Sequence, residues 1–239
     1  MGSLTFLHTN DTHGHLTEET LPQLLETRKS VELYFDSGDC IKAGNLGVPL
    51  KQELVWGHLK QADCTASVPG NRESHVLASA FEAKMKGASH LILCANMHQQ
   101  GADDPVPGSK IIERCDLKLG LLGVMVPMVT TRMKTQAASQ YLWDQPIPVA
   151  VEVAAKLRQE CDFVIALTHI GLTQDIALAE STDDIDLILG GHSHDVLEEP
   201  TVIGSTAICQ TGSHARFYGL GEFEQGKGLT SWEVKPWRS

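Results

Sequence analysis

The stretch Leu4-Thr5-Phe6-Leu7-His8-Thr9-Asn10-Asp11-Thr12-His13-Gly14-His15-Leu16 decides how the rest of the chain is read. It opens as a short apolar run and ends on two groups able to ligate a metal, Asp11 and His13, one residue apart. Near the other end, Asp186-Leu187-Ile188-Leu189 runs into Gly190-Gly191-His192-Ser193-His194, and the pattern repeats. Ligands two apart at the end of a strand project together into the space where the chain leaves the sheet. Four such groups from opposite ends of the chain predict one site closed by the fold.

Outward from these two runs, short apolar segments alternate with longer amphipathic ones. Strands are predicted over residues 4–8, 31–35, 66–68, 91–95, 118–124, 163–168, 187–189 and 207–210. Helices are predicted over residues 21–29, 50–60, 75–86 and 149–160. Val149, Val153, Ala154 and Leu157 give the last of these an apolar face at helical spacing. Strands alternating with helices imply an α/β chain built on a largely parallel sheet. The tail differs: residues 217–224 and 229–234, joined through Gln225-Gly226-Lys227-Gly228, predict an antiparallel hairpin. Residues 101–108, with Asp103, Asp104, Pro105 and Pro107, predict a loop. No repeat, low-complexity segment or linker divides the sequence, so one domain over residues 1–239 is expected.

The bulk properties fit a soluble enzyme. A chain of 239 residues can bury a sizeable core. It is 42% hydrophobic, with no apolar run near the roughly 18 residues a membrane helix needs. No charged-then-apolar leader with a small-residue cleavage site is visible. The net charge of −11 argues against a nucleic-acid polymer or an anionic membrane as partner. A small phosphorylated substrate remains open, because bound cations dominate the field inside a site. Cys40, Cys64, Cys94, Cys115, Cys161 and Cys209 are scattered with no C-x-x-C pair. Reduced thiols in a cytoplasmic protein are the plain reading.

More chemistry sits at the ends of the other expected strands, where parallel α/β sheets place their sites. Asp36-Ser37-Gly38-Asp39 follows residues 31–35, Pro69-Gly70-Asn71-Arg72-Glu73 follows residues 66–68, and His169 follows residues 163–168. Glycines beside Asp39 and Asn71 allow a sharp turn and a close approach to a ligand. The candidate metal ligands are therefore Asp11, His13, Asp39, Asn71, His169, His192 and His194. Seven mixed oxygen and nitrogen donors are too many for one tetrahedral ion. They suit two ions sharing a bridging group, and Mn²⁺, Fe or Zn²⁺ would all accept such donors.

The order D-x-H, G-D, G-N-x-E, H, G-H-x-H resembles the binuclear metallophosphoesterases, and residues 7–16 resemble the opening of the catalytic domain of 5′-nucleotidases. The resemblance runs from Leu4 to about Glu224. It implies a four-layer α/β/β/α sandwich with two mixed sheets and two divalent metal ions at the strand ends. It implies that Asp11, His13 and His194 hold one ion, that Asn71, His169 and His192 hold the other, and that Asp39 bridges them. It implies cleavage of a phosphate ester by in-line attack of a hydroxide shared by the ions, with a general acid protonating the departing oxygen.

Two departures from the family pattern matter. The usual G-N-H-E-F-D supplies the acid histidine and an aspartate that orients it. Here the stretch reads Gly70-Asn71-Arg72-Glu73-Ser74-His75. Arginine cannot serve as the acid, but it can grip phosphate oxygens through two donors. His75 would be the substitute donor if it reaches the site from the start of the next helix; otherwise it is a first-turn residue. The larger 5′-nucleotidases also have a following domain that holds the nucleoside, and no such domain is expected within these residues. The leading expectation is a metal-dependent phosphohydrolase. The alternatives are a metal-binding scaffold that has lost catalysis, and a catalytic domain that relies on a partner chain. His8, His58, His90, His98 and His214 read as lone surface or capping histidines, while His15 and Asp36 have both a supporting and a bland reading. Glu73 reads as supportive rather than as a ligand.

Overall fold

Leu4 and Phe6 point to one side of the first strand and Leu7 to the other, and all three are fully buried. A strand buried on both faces belongs in the middle of a layered α/β structure. The computed structural model describes residues 2–237. In chain order it begins β1 (Ser3–Thr9), α1 (Leu21–Arg28), β2 (Leu33–Asp36), α2 (Leu54–Gln61), β3 (Ala66–Ser67), α3 (Ala78–Met85) and β4 (Leu91–Ile92). There follow β5 (Met97–Gln99), β6 (Ser109–Arg114), β7 (Leu117–Met125), β8 (Tyr141–Trp143), α4 (Pro146–Arg158), β9 (Phe163–His169) and α5 (Leu172–Ser181). The chain continues with β10 (Leu187–Leu189), β11 (Thr201–Ile203), β12 (Thr206–Cys209), β13 (Phe217–Glu224) and β14 (Gly228–Pro236).

Two six-stranded sheets carry the structure. The first runs β14-β13-β1-β2-β3-β4, with β1 to β4 parallel and the tail hairpin closing one edge antiparallel. The second runs β11-β12-β10-β9-β7-β6, with four parallel strands flanked by antiparallel β11 and β6. The inner faces share one core, in which Phe6 and Phe35 meet Leu121, Ile165 and Leu187. On the outer face of the first sheet, Leu7 and Tyr34 pack with Leu24 of α1 and Trp56 of α2. On the outer face of the second, Val124 and Val164 pack with Ala154 of α4 and Leu178 of α5. These are the four α/β/β/α layers that the resemblance implied. Among the described residues, no helix is long and apolar enough to cross a membrane.

The element boundaries depart from the sequence expectation where side chains pin the backbone. The helix expected from residue 50 begins at Leu54, because Glu53 is extended and its carboxylate accepts the Lys42 and Ala43 N–H groups. The helix expected from residue 75 begins at Ala78, and Leu77 just before it is extended. Helix α5 was not expected, although Leu172, Ile176 and Ala179 stand at helical spacing. The unexpected strands β5, β6, β8 and β11 are short or lie at sheet edges, where alternation is weak.

Helix α5 brings one carboxyl into the interior. Asp175 is fully buried, accepts the Thr168 hydroxyl at 2.6 Å, and leaves Oδ2 without a partner. Burial pushes its pKa up to about 7 against the pull of the Thr168 hydrogen bond. Between about pH 4 and 7 the folded state therefore holds a proton that the unfolded chain has lost. The stabilisation is complete below the unfolded pKa and is lost as pH rises through 7. Asp175→Asn keeps an acceptor for Thr168 and removes the buried charge. It should flatten the decline in stability between pH 4 and 8 by roughly 2–4 kcal/mol. Urea unfolding of both proteins in chelator at the two pH values measures this, and identical pH dependence would refute it.

Candidate metal centre

Strands β1, β2, β3, β9 and β10 release their loops at one end of the two sheets. The loop after β1 carries Asp11 and His13, and its backbone is stitched to the loop after β2: Asp11 N donates to Gly38 O and His13 N to Asp39 O, both at 2.9 Å. The loop after β10 is tied in when His192 N donates to Asp11 Oδ2 at 2.8 Å. Asp11, His13, Asp39, His192 and His194 all adopt left-handed backbone, with φ between 49° and 79°. Asp and His tolerate that region better than most residues, yet such strain, about 1–3 kcal/mol per residue, persists only where the surroundings enforce it and clusters at functional sites. Gly70 shows how tightly the loops meet: a Cβ there would lie 2.2 Å from Asp39 Oδ1.

All seven expected ligands are brought together, in two adjoining groups. In the first, His13 Nε2 and His194 Nε2 are 3.0 Å apart, and Asp11 Oδ1 lies 3.3 Å from His194 Nε2 and 3.8 Å from His13 Nε2. In the second, Asn71 Oδ1 lies 3.2 Å from His169 Nε2 and 3.0 Å from His192 Nδ1. Asp39 stands between, with Oδ1 3.5 Å from His169 Nε2 and Oδ2 4.0 Å from His13 Nδ1. Donors that sit about 2.0–2.2 Å from one ion lie roughly 3.0–3.5 Å from each other, and most of these separations match. Asp11, Asp39 and His169 also present ligand atoms close to one another, so Asp11 adjoins both groups.

The donor chemistry fits cations. Asp11 Oδ2 is occupied by Asn10 Nδ2 and His192 N, whereas Oδ1 is buried with no hydrogen-bond partner and faces the two imidazoles. His169 Nδ1 donates to Ser37 O at 2.7 Å, which turns Nε2 toward the oxygens of Asn71 and Asp39. Burial opposes charge on His169, but Asp39 and Asp11 outweigh it and raise its pKa. The Asp11 carboxylate, 3.3 Å from Nε2, likewise raises His194. Burial disfavours the Asp11 carboxylate, yet His194 and His169 hold its pKa down at about 2. Burial pushes Asp39 up to about 6, with His169 opposing. Burial instead lowers His13, to about 3, and His192. Neutral imidazoles beside carboxylate and amide oxygens are the donors that divalent ions accept.

The two residues expected to act on substrate part company. Arg72 lies at the site: its backbone N–H donates to Asp39 Oδ1 at 2.7 Å and its Nε is 4.0 Å from Asp39 Oδ2. His75 does not start a helix. Its Nδ1 accepts the Leu77 N–H at 3.0 Å, and among the described residues it hydrogen-bonds none of the seven candidate ligands.

Several supporting residues emerge only in three dimensions. Glu73 is buried and its carboxylate accepts the N–H groups of Asp39, Gly70 and Ile41, so it clamps two ligand loops. Asp36 accepts the Gly38 N–H and the Thr9 hydroxyl, fixing the turn that carries Asp39. Gln210 receives Asp195 N and donates to Gly191 O, framing the loop of His192 and His194. His58, His90 and His98 bond to neighbours away from the seven ligands, but His58 is buried within α2 rather than at the surface. His8 is buried against Ser37, whose carbonyl receives His169. His214 departs from that reading: its ring lies 4.7 Å from His13, 5.2 Å from His15 and 5.9 Å from His194. Its position just beyond β12, a strand end like the others, was the available signal.

An α/β/β/α sandwich with carboxylate, amide and imidazole donors gathered at its strand ends has the build of the metallophosphoesterases. The chain belongs to the calcineurin-like phosphoesterase family, which matches residues 4–196. An uncharacterised metallophosphoesterase of Bacillus subtilis is 23% identical over 92% of this chain and 49% of its own length. A 5′-nucleotidase of Diplobatis ommata is 25% identical over 81% of this chain and 38% of its own. The crystal structure of a 5′-nucleotidase precursor from Thermus thermophilus superposes on 98% of this chain and 54% of its own, with a TM-score of 0.77 and 19% identity. The chain thus spans about half the length, or less, of these relatives.

Proposed function

We propose that this chain is a metal-dependent phosphohydrolase that holds two divalent ions and cleaves small phosphate esters. The observation that carries this reading is the gathering of seven donors into two adjoining groups, with Asp11 and Asp39 lying near both. Asp11, His13 and His194 would hold one ion, Asn71, His169 and His192 the other, and Asp39 both. Bound there, the ions would polarise the phosphoryl oxygens and lower the pKa of an attacking water. The chain's own contribution is geometric and electrostatic. Asn10 and the His192 backbone aim Asp11, Ser37 fixes the tautomer of His169, and Glu73 sets the loops that present Asp39 and Asn71. Arg72, beside Asp39, would neutralise charge on a phosphoryl oxygen. The shared core of the two sheets supports reading the residues as one catalytic unit. Six free cysteines, five of them buried, support a cytoplasmic location.

The test is metal stoichiometry after loading with Mn²⁺. The wild-type chain should bind two ions. His194→Ala and His192→Ala should each lose about one ion and hold the other more weakly, because the sites share Asp39. One ion or none in the wild type would sink the two-ion reading, and full retention of both ions in either variant would refute the partition.

A further inference from the structure

Asn71 is the only amide among the seven candidate ligands, and an amide has an orientation problem. Its oxygen can ligate a cation, whereas its nitrogen, carrying two hydrogens, cannot. Turned the wrong way, the side chain would present N–H groups where the ion belongs. Oδ1 faces His169 and His192, while Nδ2 donates to Asn45 Oδ1 at 2.9 Å. Among the described residues, Asn45 is the one hydrogen-bond partner of that nitrogen. An acceptor at Asn45 therefore selects the ligating orientation.

Asn45 sits on a loop with little apolar anchorage: the next residue, Leu46, is 83% exposed and Leu50 is fully so. The loop is held by charge instead. The Lys84 ammonium, on the buried side of α3, donates to the carbonyls of Gly44 and Asn45, both at 2.9 Å. The same ammonium donates to the carbonyls of Arg72 and Ser74, in the segment that follows Asn71. One buried cation thus ties together the two loops that carry Asn45 and Asn71. The Trp56 indole fixes the far end of this arrangement by donating to Lys84 O at 2.7 Å.

We infer that Asn45 is the positioning residue for the amide ligand Asn71, and that Lys84 sets the spacing between them. The inference rests on the two-ion reading above and concerns the ion held by Asn71, His169 and His192. Partners that orient a metal ligand typically contribute about 10–100-fold in metal affinity. Asn45→Leu removes the acceptor at nearly constant size on an exposed loop, so the fold should be undisturbed. Asn45→Asp keeps the acceptor.

The experiment titrates the full chain with Mn²⁺, read by calorimetry and by electron paramagnetic resonance. Spin-coupled and isolated Mn²⁺ give distinct signals, which separates loss of one ion from loss of both. In Asn45→Leu one affinity should fall about 10–100-fold while the other holds, and the coupled signal should give way to the isolated one. Asn45→Asp should behave as wild type. Lys84→Met should act in the same direction as Asn45→Leu, with folding checked by circular dichroism. Wild-type binding in Asn45→Leu would overturn the inference. So would equal weakening of both ions, or an Asn45→Asp variant as impaired as Asn45→Leu. A wild-type chain that binds a single ion would instead overturn the two-ion reading, an outcome visible before any variant is made.

Discussion

Asp39→Asn is expected to be the most damaging single change in the molecule. The kcat/KM for an aryl phosphate should fall by about 10³-fold or more, since one well-placed stabilising group alone contributes about 10²–10³-fold. Bound Mn²⁺ should fall below one ion per chain. The reason is position: the two carboxylate oxygens of Asp39 face different groups, Oδ1 toward His169 and Oδ2 toward His13. Asparagine offers one oxygen and no charge, so both proposed ions would lose a ligand at once. The fold should survive. Asparagine tolerates left-handed backbone as aspartate does, and its oxygen can still accept the Arg72 N–H that now reaches Oδ1. Burial also pushes the Asp39 carboxyl up to about 6, so removing its charge should relieve the metal-free protein. An unchanged or higher melting temperature in chelator, together with lost metal and lost turnover, is the expected signature. Two tightly bound ions in the variant would mean that Asp39 is not shared.

The second large effect concerns the leaving group. A positioned proton donor contributes about 10²–10⁴-fold, most of all when the departing oxygen is strongly basic. Arg72 holds the position where the family carries a histidine, and His75 is turned toward Leu77 N. Hydrolysis should therefore depend steeply on leaving-group pKa, with nitrophenyl esters and anhydrides strongly favoured over simple alkyl esters. Arg72→Ala should lower both, because on the proposed reading the guanidinium beside Asp39 would serve the phosphoryl oxygens in either case. Arg72→His combined with His75→Asp should raise alkyl-ester turnover selectively. The measurement is log kcat/KM against leaving-group pKa for wild type and double variant. A shallow wild-type slope would reveal a donor already present, with His214 the ring to test beside His75. A steep slope left unchanged by the double variant would place Arg72 away from the leaving-group side.

The strand-end motifs were legible because each joins an apolar run to a donor and a glycine, and both signals are local. Asp11 after β1 and His192 after β10 need no knowledge of what lies opposite. The alternation of strands with helices was legible too, whereas the two sheets and four layers came from the family resemblance and not from any one run of residues. The helix starts were harder. Periodicity carried the expected helix back to His75, but the backbone there is governed by Glu73 and by the ring of His75 itself. His214 was missed for a related reason. Its one local sign, the strand end at β12, lies several residues before it, and its neighbour His13 is brought to it by the β1–β13 pairing. Asn45 and Lys84 are the extreme case, a polar loop residue and a helix lysine whose link to Asn71 exists only once three segments meet.

The left-handed backbone at Asp11, His13, Asp39, His192 and His194 bears on how such a centre can be altered over evolutionary time. On the proposed two-ion reading, each of these positions answers to two selections at once, one for a donor atom and one for a residue that tolerates positive φ. Glycine satisfies the second and fails the first; glutamate or cysteine satisfies the first and strains the second. The set of viable replacements is thereby confined to aspartate, asparagine and histidine. Asn71 and His169 are free of that double bind, having ordinary backbone. Drift toward a different metal preference therefore has two open doors in this chain rather than seven, and a designer seeking to retune the centre should begin with those two.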